Sequence, residues 1–230
     1  MLSPNGLDQR QHCKVSHQPA TGAIASQAFT ASPTYISAGP PPIYTHTASI
    51  SSASARVQSS LCRALTLSPF VIIASCDVEG AMDASPRGGE PGFVKAIGDG
   101  TLMIPDSPGN NRLDTLENIV QTGRIGLLFL LPGVDESLRV NGRAVLSTAD
   151  AELDLCAVPK RRPKLVIRVT VEAAYLHCAK ALMRSSLWDA SRHINRQTMP
   201  SMGEMLKDQI GGDIPAETQA EMLVRYAVDL

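Results

Sequence analysis

Short runs of β-branched and other apolar residues, separated by turn sequences, dominate the chain from Ser68 to about residue 171. Runs of this length with a period near two are typical of β-strands. The Gly-Asp-Gly sequence at 98–100 predicts a hairpin between two of them. The predicted strands are 70–75, 81–85, 93–97, 101–105, 124–131, 137–147 and 165–171. Because the spacing leaves no room for helices between most strands, the pattern favours a closed antiparallel barrel over a doubly wound sheet.

Two helices are predicted within this series of strands. The longer one spans about 112–122, begins near Asn111 and ends at Gly123, which is suited to a helix C-terminus. A short helix is predicted at 150–156. The apolar face of the longer helix is expected to consist of Leu113, Leu116, Ile119 and Val120.

A third helix is predicted after the last strand, at 174–188, and a further amphipathic segment at 216–228. Residues spaced three and four apart share a helix face. One face of the 174–188 helix would then carry His177, Lys180, Arg184 and Trp188. The core-facing stripe would consist of Leu176, Ala179, Leu182, Met183 and Leu187.

The first sixty residues have a different composition. They contain 11 Ser, 6 Pro and 9 Ala, but only 3 Lys or Arg and 1 Asp or Glu, and no hydrophobic period persists. Such a segment buries too little apolar surface to offset the entropy of ordering it. We therefore predict a disordered or atypical N-terminal extension at 1–60 and a barrel domain at 61–230.

Charge and cysteine content exclude several classes of function. A net charge of −1 gives no reason to expect nucleic acid or an anionic membrane as a partner. The longest apolar run, 125–131, is too short to span a membrane and predicts a strand buried on both faces. Five cysteines without CxxC spacing argue against zinc and against a disulfide framework, which favours a reduced, cytoplasmic protein without a metal site.

The segment 84–112 combines the features that a phosphate group requires. Arg87, Lys95 and Arg112 supply cations among turns and short strands, just ahead of the predicted helix. Glycines permit close approach, and a helix N-terminus attracts an anion. Asn110 or Asn111 would cap that helix and add a donor on the same side.

The same segment resembles the FMN-binding split barrels of the pyridoxamine 5′-phosphate oxidase type, in particular an oxidase-like bacterial branch. The resemblance lies in Ser-Pro-Arg-Gly at 85–88 and Pro-Gly-Asn-Asn-Arg-Leu-Asp at 108–114, and it extends over roughly 67–230. It implies a mainly β fold: a six- to seven-stranded antiparallel split barrel with inserted and C-terminal helices. Where the oxidases proper have a basic pair, this chain has Asn111 followed by Arg112. The implied phosphate-binding residues are Ser85, Pro86, Arg87, Gly88, Lys95, Asn111 and Arg112.

The resemblance also implies residues beside the flavin ring. The segment 137–144 resembles the strand that lies along the isoalloxazine, and alternation places Leu138, Val140 and Gly142 on the face opposite Arg139. Ser137 and Arg139 are the residues expected to reach cofactor or substrate. The segment 177–188 matches what this branch carries after its last strand. Lys180, Arg184 and Trp188 would close over a flavin from a neighbouring subunit.

The function that the resemblance implies is that of an FMN-dependent oxidoreductase, homodimeric, with flavin at the subunit interface and a small-molecule substrate. No catalytic acid or base is identifiable, and the C-terminal substrate-binding segment of true pyridoxamine-phosphate oxidases is not visible. The alternatives are a non-catalytic flavin-binding, storage or sensor protein, a relative that binds F420 or haem, and a structural barrel without cofactor. No histidine is marked as a haem ligand.

Overall fold

The computed structural model describes residues 55–98, 100–109, 112–211 and 215–228, with the backbone alone for 55–60. All of these residues lie in one unit, Thr45–Leu230. Most of residues 1–60 therefore lie outside the description. Helix α1 begins at Ala55, so the predicted boundary between residues 60 and 61 falls within a helix, and the division into an extension and a domain stays a prediction.

Seven antiparallel strands form one sheet in the order β2-β1-β5-β6-β7-β4-β3. The order begins and ends with different strands, so β2 and β3 are edges and the predicted full closure of the barrel is wrong. The prediction of a mainly β, seven-stranded antiparallel fold of the split-barrel type is confirmed. The strands are β1 (Phe70–Cys76), β2 (Met82–Gly88), β3 (Lys95–Ile97), β4 (Thr101–Pro105), β5 (Arg124–Leu131), β6 (Val134–Ser147) and β7 (Val166–His177).

The larger buried cluster lies on one face of this sheet, and a smaller one lies beside β4 and β7. Alternate residues of β1 and β5, among them Val71, Ile73 and Phe129, are fully buried in the larger cluster, and α1 contributes Leu61 and Leu65. The intervening residues of β5 are only half-buried, so the prediction that this strand is buried on both faces is wrong. One face of β5 meets the core, whereas the other belongs to the outer surface of the sheet.

The helices are α1 (Ala55–Leu67), α2 (Asp114–Thr122), α3 (Asp150–Leu155), α4 (Lys180–Ser185), α5 (Met202–Ile210) and α6 (Gln219–Tyr226). Helix α2 ends at Gly123, whose φ of 62° confirms the predicted glycine stop. The predicted apolar face of α2 is only partly correct. Ile119 is buried, but Val120 is 72% exposed and the buried positions also include the polar Thr115 and Asn118.

The predicted helix at 174–188 is wrong over most of its length. Strand β7 continues to His177, because residues 173–177 pair with β6, where Arg139 lies opposite Tyr175. The hydrogen bonds and side-chain contacts of this strand pair outweigh the local preference for a helix. Only α4 is helical, so His177 and Trp188 do not share a helix face with Lys180 and Arg184. Leu176, Met183 and Leu187 of the predicted core stripe are exposed.

The C-terminal segment forms two capped helices. Ser201 with Glu204 caps α5, and Thr218 with Glu221 caps α6, each pair forming a capping box. Helix α6 lies within the predicted segment 216–228, whereas α5 was not predicted. The two helices pack together, and Gly203 approaches the backbone of Glu217 too closely for any larger residue.

Candidate functional site

Strand β2 presents one half-buried face with three polar side chains. Alternation along the strand places Asp83, Ser85 and Arg87 on this face, and Pro86 and Gly88 on the exposed side. Arg87 Nη1 donates hydrogen bonds to Ser85 Oγ at 2.5 Å and to the Pro86 carbonyl at 3.0 Å. These bonds hold the guanidinium in a fixed orientation beside a hydroxyl group.

Three hydrogen bonds fix α2 against β1 and β2. Thr115 Oγ1 donates to Asp83 Oδ2 at 2.6 Å, and one turn later Asn118 Nδ2 donates to Ser75 Oγ at 3.0 Å. In the last turn, Thr122 Oγ1 donates to the Cys76 carbonyl at 3.0 Å. Because Thr115 and Asn118 are buried, these bonds satisfy groups that would otherwise be costly to bury. They set the position of the α2 N-terminus relative to Ser85 and Arg87.

Arg112 precedes this helix rather than lying in its first turn. Helix α2 begins at Asp114 with Leu113 as its N-cap, later than the predicted start near Asn111. The predicted capping by Asn110 or Asn111 stays a prediction. Both asparagines lie outside the described residues. The Arg112 side chain is 74% exposed, and its Nε lies 2.8 Å from Asp114 Oδ2. The hydrogen bond with Arg112 lowers the pKa of Asp114.

Arg87 also lies near a carboxylate from the opposite side of the open sheet. Asp106 directly follows β4, and its backbone N–H donates to the Leu165 carbonyl. Burial raises the pKa of Asp106, and the charge of Arg87 opposes that rise. Arg87 is therefore close enough to act on the Asp106 carboxyl through its charge, although β4 and β2 do not pair in the sheet.

Lys95, on the other edge strand, has different neighbours. Its Nζ donates to the Gly92 carbonyl at 2.9 Å, and its charge opposes the burial that raises the pKa of the Cys156 thiol. Among the contacts of the described residues, none joins Lys95 directly to Arg87 or Arg112. Of the predicted phosphate ligands, the structure therefore brings Ser85 and Arg87 into contact and leaves Lys95 beside α3.

Ser137, Arg139 and Trp188, which were expected beside the flavin ring, lie around the start of β6. Ser137 is buried, and the exposed Arg139 guanidinium lies 5.2 Å from the centre of the Tyr175 ring. Trp188 Nε1 donates to the Val134 carbonyl at 2.9 Å, which anchors the segment after α4 to the start of β6. Lys180 and Arg184 are both exposed on α4.

Arg87 and Arg139 lie on opposite faces of the sheet. Directly paired residues of neighbouring strands point to the same face. Arg87 pairs with the fully buried Val71 and so belongs to the core face. Arg139 pairs with the half-buried Leu128 and belongs to the outer face. The predicted alternation of β6 is confirmed, and the predicted cofactor residues fall into two groups on different surfaces.

Sequence reasoning did not name the acidic residues around the cations. Asp83, Asp106 and Asp114 each lie close to Arg87 or Arg112, and Thr115 binds Asp83. Asp83 could have been found from its position two residues before Ser85 on an alternating strand. The sequence around Asp106 contains no comparable pattern, since its proximity to Arg87 depends on the curvature of the sheet.

The described part of the chain shows no disulfide, no group of metal ligands and no membrane-spanning helix. Cys62, Cys76, Cys156 and Cys178 are free thiols, and no described group of His, Cys, Asp or Glu residues could hold a metal ion. Within the same residues, every helix is too short or too polar to cross a membrane.

The family model described as pyridoxamine 5′-phosphate oxidase matches residues 61–178, just over half of the chain. The chain belongs to this family. A search among curated proteins found no match.

Three solved structures illustrate the likeness. HupZ from Group A Streptococcus is 16% identical, with 54% of this chain and 93% of that chain covered and a TM-score of 0.41. An FMN-binding protein from Syntrophomonas wolfei subsp. wolfei is 15% identical, with 54% and 89% covered and a TM-score of 0.42. An F420 reductase is 15% identical, with 49% and 94% covered and a TM-score of 0.37. The family model, rather than these structures, carries the assignment.

Proposed function

We propose that the protein is an FMN-dependent oxidoreductase that binds its flavin between two copies of the chain and acts on a small-molecule substrate. The observation that carries the proposal is the half-buried Arg87, held by Ser85 in the Ser-Pro-Arg-Gly motif of a chain that belongs to the pyridoxamine 5′-phosphate oxidase family. A guanidinium fixed in this way is preorganised for a phosphate, because little side-chain freedom remains to be lost on binding.

The donor set suits the phosphate of FMN. Arg87 offers a planar fork, Ser85 a hydroxyl group and Arg112 a second guanidinium near the start of α2. When bound, the flavin supplies the electron chemistry, and this chain supplies binding, orientation and exclusion of water. Arg139, Lys180 and Arg184 are proposed contacts to the ring or to an anionic substrate. No residue is assigned as a catalytic acid or base.

A homodimer is supported by the separation of the two groups of residues. Arg87 lies on the core face near an edge strand, whereas Arg139 lies on the outer face, three strands away in the sheet order. One copy could offer its β2 and α2 residues to the phosphate while a second copy offers the outer face of β6 to the ring. A flavin held in this way would contact both groups at once.

The test is an absorption spectrum of the purified full-length protein, with mass analysis of any chromophore released on denaturation. We expect a flavin spectrum and the mass of FMN. Release of F420 or haem, or a colourless protein that does not bind added FMN, would contradict the cofactor assignment. Flavin that stays oxidised with every electron donor tried, reduced nicotinamides included, would support storage or sensing instead of catalysis.

A further inference from the structure

The cation at the start of α2 is already engaged by a carboxylate of the same chain. Arg112 Nε and Asp114 Oδ2 are 2.8 Å apart, and their side chains are 74% and 46% exposed, respectively. The hydrogen bond with Asp114 raises the pKa of Arg112, and the nearby Asp83 carboxylate adds to that rise. The guanidinium is therefore paired with one carboxylate in the ligand-free chain.

A phosphate that binds Arg112 has to compete with this arrangement. A guanidinium binds carboxylates and phosphates through the same N–H groups, so the Nε that meets Asp114 is also a donor that a phosphate would use. A phosphate dianion that shares Arg112 with Asp114 would also lie close to a like charge. An exposed ion pair of this kind is weak, which makes displacement by a dianion feasible.

We propose that Asp114 sets the affinity of the site by competing with the ligand phosphate for Arg112. This inference rests on the proposed function, in which Arg112 contacts the flavin phosphate. In the presence of Asp114, a phosphorylated flavin binds more weakly than it would to the same cations without this carboxylate. Asp114 leaves the binding of an unphosphorylated flavin unaffected, because riboflavin has no group that displaces the carboxylate.

The experiment titrates FMN and riboflavin separately into the full-length protein after removal of bound flavin. In Asp114→Asn, we expect FMN to bind roughly two- to five-fold more tightly, the change in affinity that the loss of one exposed ion pair corresponds to. Riboflavin affinity should not change. In the double variant Asp114→Asn/Arg112→Ala, FMN affinity should equal that of Arg112→Ala alone, since the gain requires Arg112.

The matched control is Asp154→Asn. Asp154 forms an equally exposed ion pair with Arg162 at 2.5 Å, on α3 and away from α2. This variant should not change FMN affinity. Asp114 also lies in the first turn of α2, where a carboxylate stabilises a helix, so Asp114→Ser serves as a second variant that keeps an oxygen there without the charge.

The outcomes separate this inference from the proposed function. If Arg112→Ala weakens FMN binding but Asp114→Asn and Asp114→Ser leave it unchanged or weaken it, the competition is disproved and the phosphate site stands. An equal gain for riboflavin, or a gain in Asp154→Asn, would also overturn the competition. If the wild-type protein binds no FMN, the proposed function fails and the inference fails with it.

Discussion

Each guanidinium of the candidate phosphate site has an acidic neighbour. Arg87 interacts with Asp106 across the open side of the sheet, and Arg112 forms an ion pair with Asp114. These carboxylates reduce the net positive charge of the site in the ligand-free chain. Binding an anion therefore depends on the orientation of the donors, in particular on the hydrogen bond between Arg87 and Ser85.

Arg87→Ala tests the contribution of that guanidinium. We expect FMN affinity to fall by about 1.5–3 kcal/mol, the usual contribution of a hydrogen bond to a charged group. Isothermal titration with FMN measures the effect. Arg162→Ala, which removes an arginine that binds Asp150 and Asp154 on α3, is the control and should leave affinity unchanged. An unchanged affinity in Arg87→Ala would show that the phosphate binds elsewhere.

The partly buried carboxyl group of Asp106 leads us to expect that the stability of the fold depends on pH. Its pKa in the folded protein is raised because burial disfavours the charged form. A group with a raised folded pKa contributes stability at low pH that is lost as pH rises through that pKa. Between about pH 3 and pH 7, the unfolding free energy of Asp106→Asn should therefore increase relative to wild type.

Thermal unfolding across this range of pH measures the difference between Asp106→Asn and wild type. Glu79→Gln, in the exposed turn between β1 and β2, is the control for removal of a carboxylate. The difference in unfolding free energy between the two proteins could instead stay constant with pH, or wild type could gain stability relative to Asp106→Asn as pH rises. Either result would show that burial is not the dominant influence on the pKa of Asp106.

At the scale of elements, the long pair β6 and β7 determines where the ring-side residues lie. Their ladder extends from Ser137 opposite His177 to Ser147 opposite Val166, with an irregularity at Asn141 and Gly142. A Cβ on Gly142 would lie 2.2 Å from the Thr170 carbonyl oxygen. Gly142 thus permits a close approach of β6 to the backbone of β7. This approach accompanies the irregularity in the pairing of the two strands, near Arg139.

Gly142→Ala should destabilise the fold by about 1–3 kcal/mol, because the added methyl group forces the backbone of β7 to move. Gly126→Ala is a matched control on the paired strand β5. Its Cβ would meet nothing closer than Asn141 Oδ1 at 3.5 Å, an ordinary contact, so the change in stability should be below about 1 kcal/mol. Urea denaturation measures both. Equal effects of the two substitutions would contradict the packing argument.

At the scale of the whole molecule, the open sheet leaves two separate surfaces. The core face near the β2 edge carries Ser85 and Arg87, and the outer face carries Arg139. The two groups do not meet within one copy of the chain. Strands β1 and β5, with their buried core residues, lie between β2, which carries Arg87, and β6, which carries Arg139. In the proposed homodimer, both groups would contact one flavin.

Mixed dimers test this arrangement. If each flavin contacts Arg87 of one copy and Arg139 of the other, Arg87→Ala and Arg139→Ala each weaken both sites of their own homodimer. A heterodimer of the two variants then has one intact site and one doubly altered site. We expect about half of the wild-type number of tight FMN sites, measured by titration of doubly tagged heterodimers. Heterodimers without tight sites, or a monomer in sedimentation, would contradict the shared site.

Local elements and the motif follow from the amino-acid sequence alone. Alternation and turn residues were sufficient for β5, for the hairpin at 98–100 and for the end of α2 at Gly123, because these features depend on neighbouring residues. The Ser-Pro-Arg-Gly motif likewise predicted a role for Ser85 and Arg87, whose side chains are hydrogen-bonded to each other in the structure.

Features that depend on residues distant in the chain are visible only in the folded structure. Residues 174–177 lie in the predicted helix, yet they extend β7 because β6 offers them a partner strand. The approach of Asp106 to Arg87 and the placement of Arg139 on the outer face follow from the curl and pairing of the sheet. Strand pairing and burial are long-range interactions that outweigh local preference, so the sequence pattern alone could not fix them.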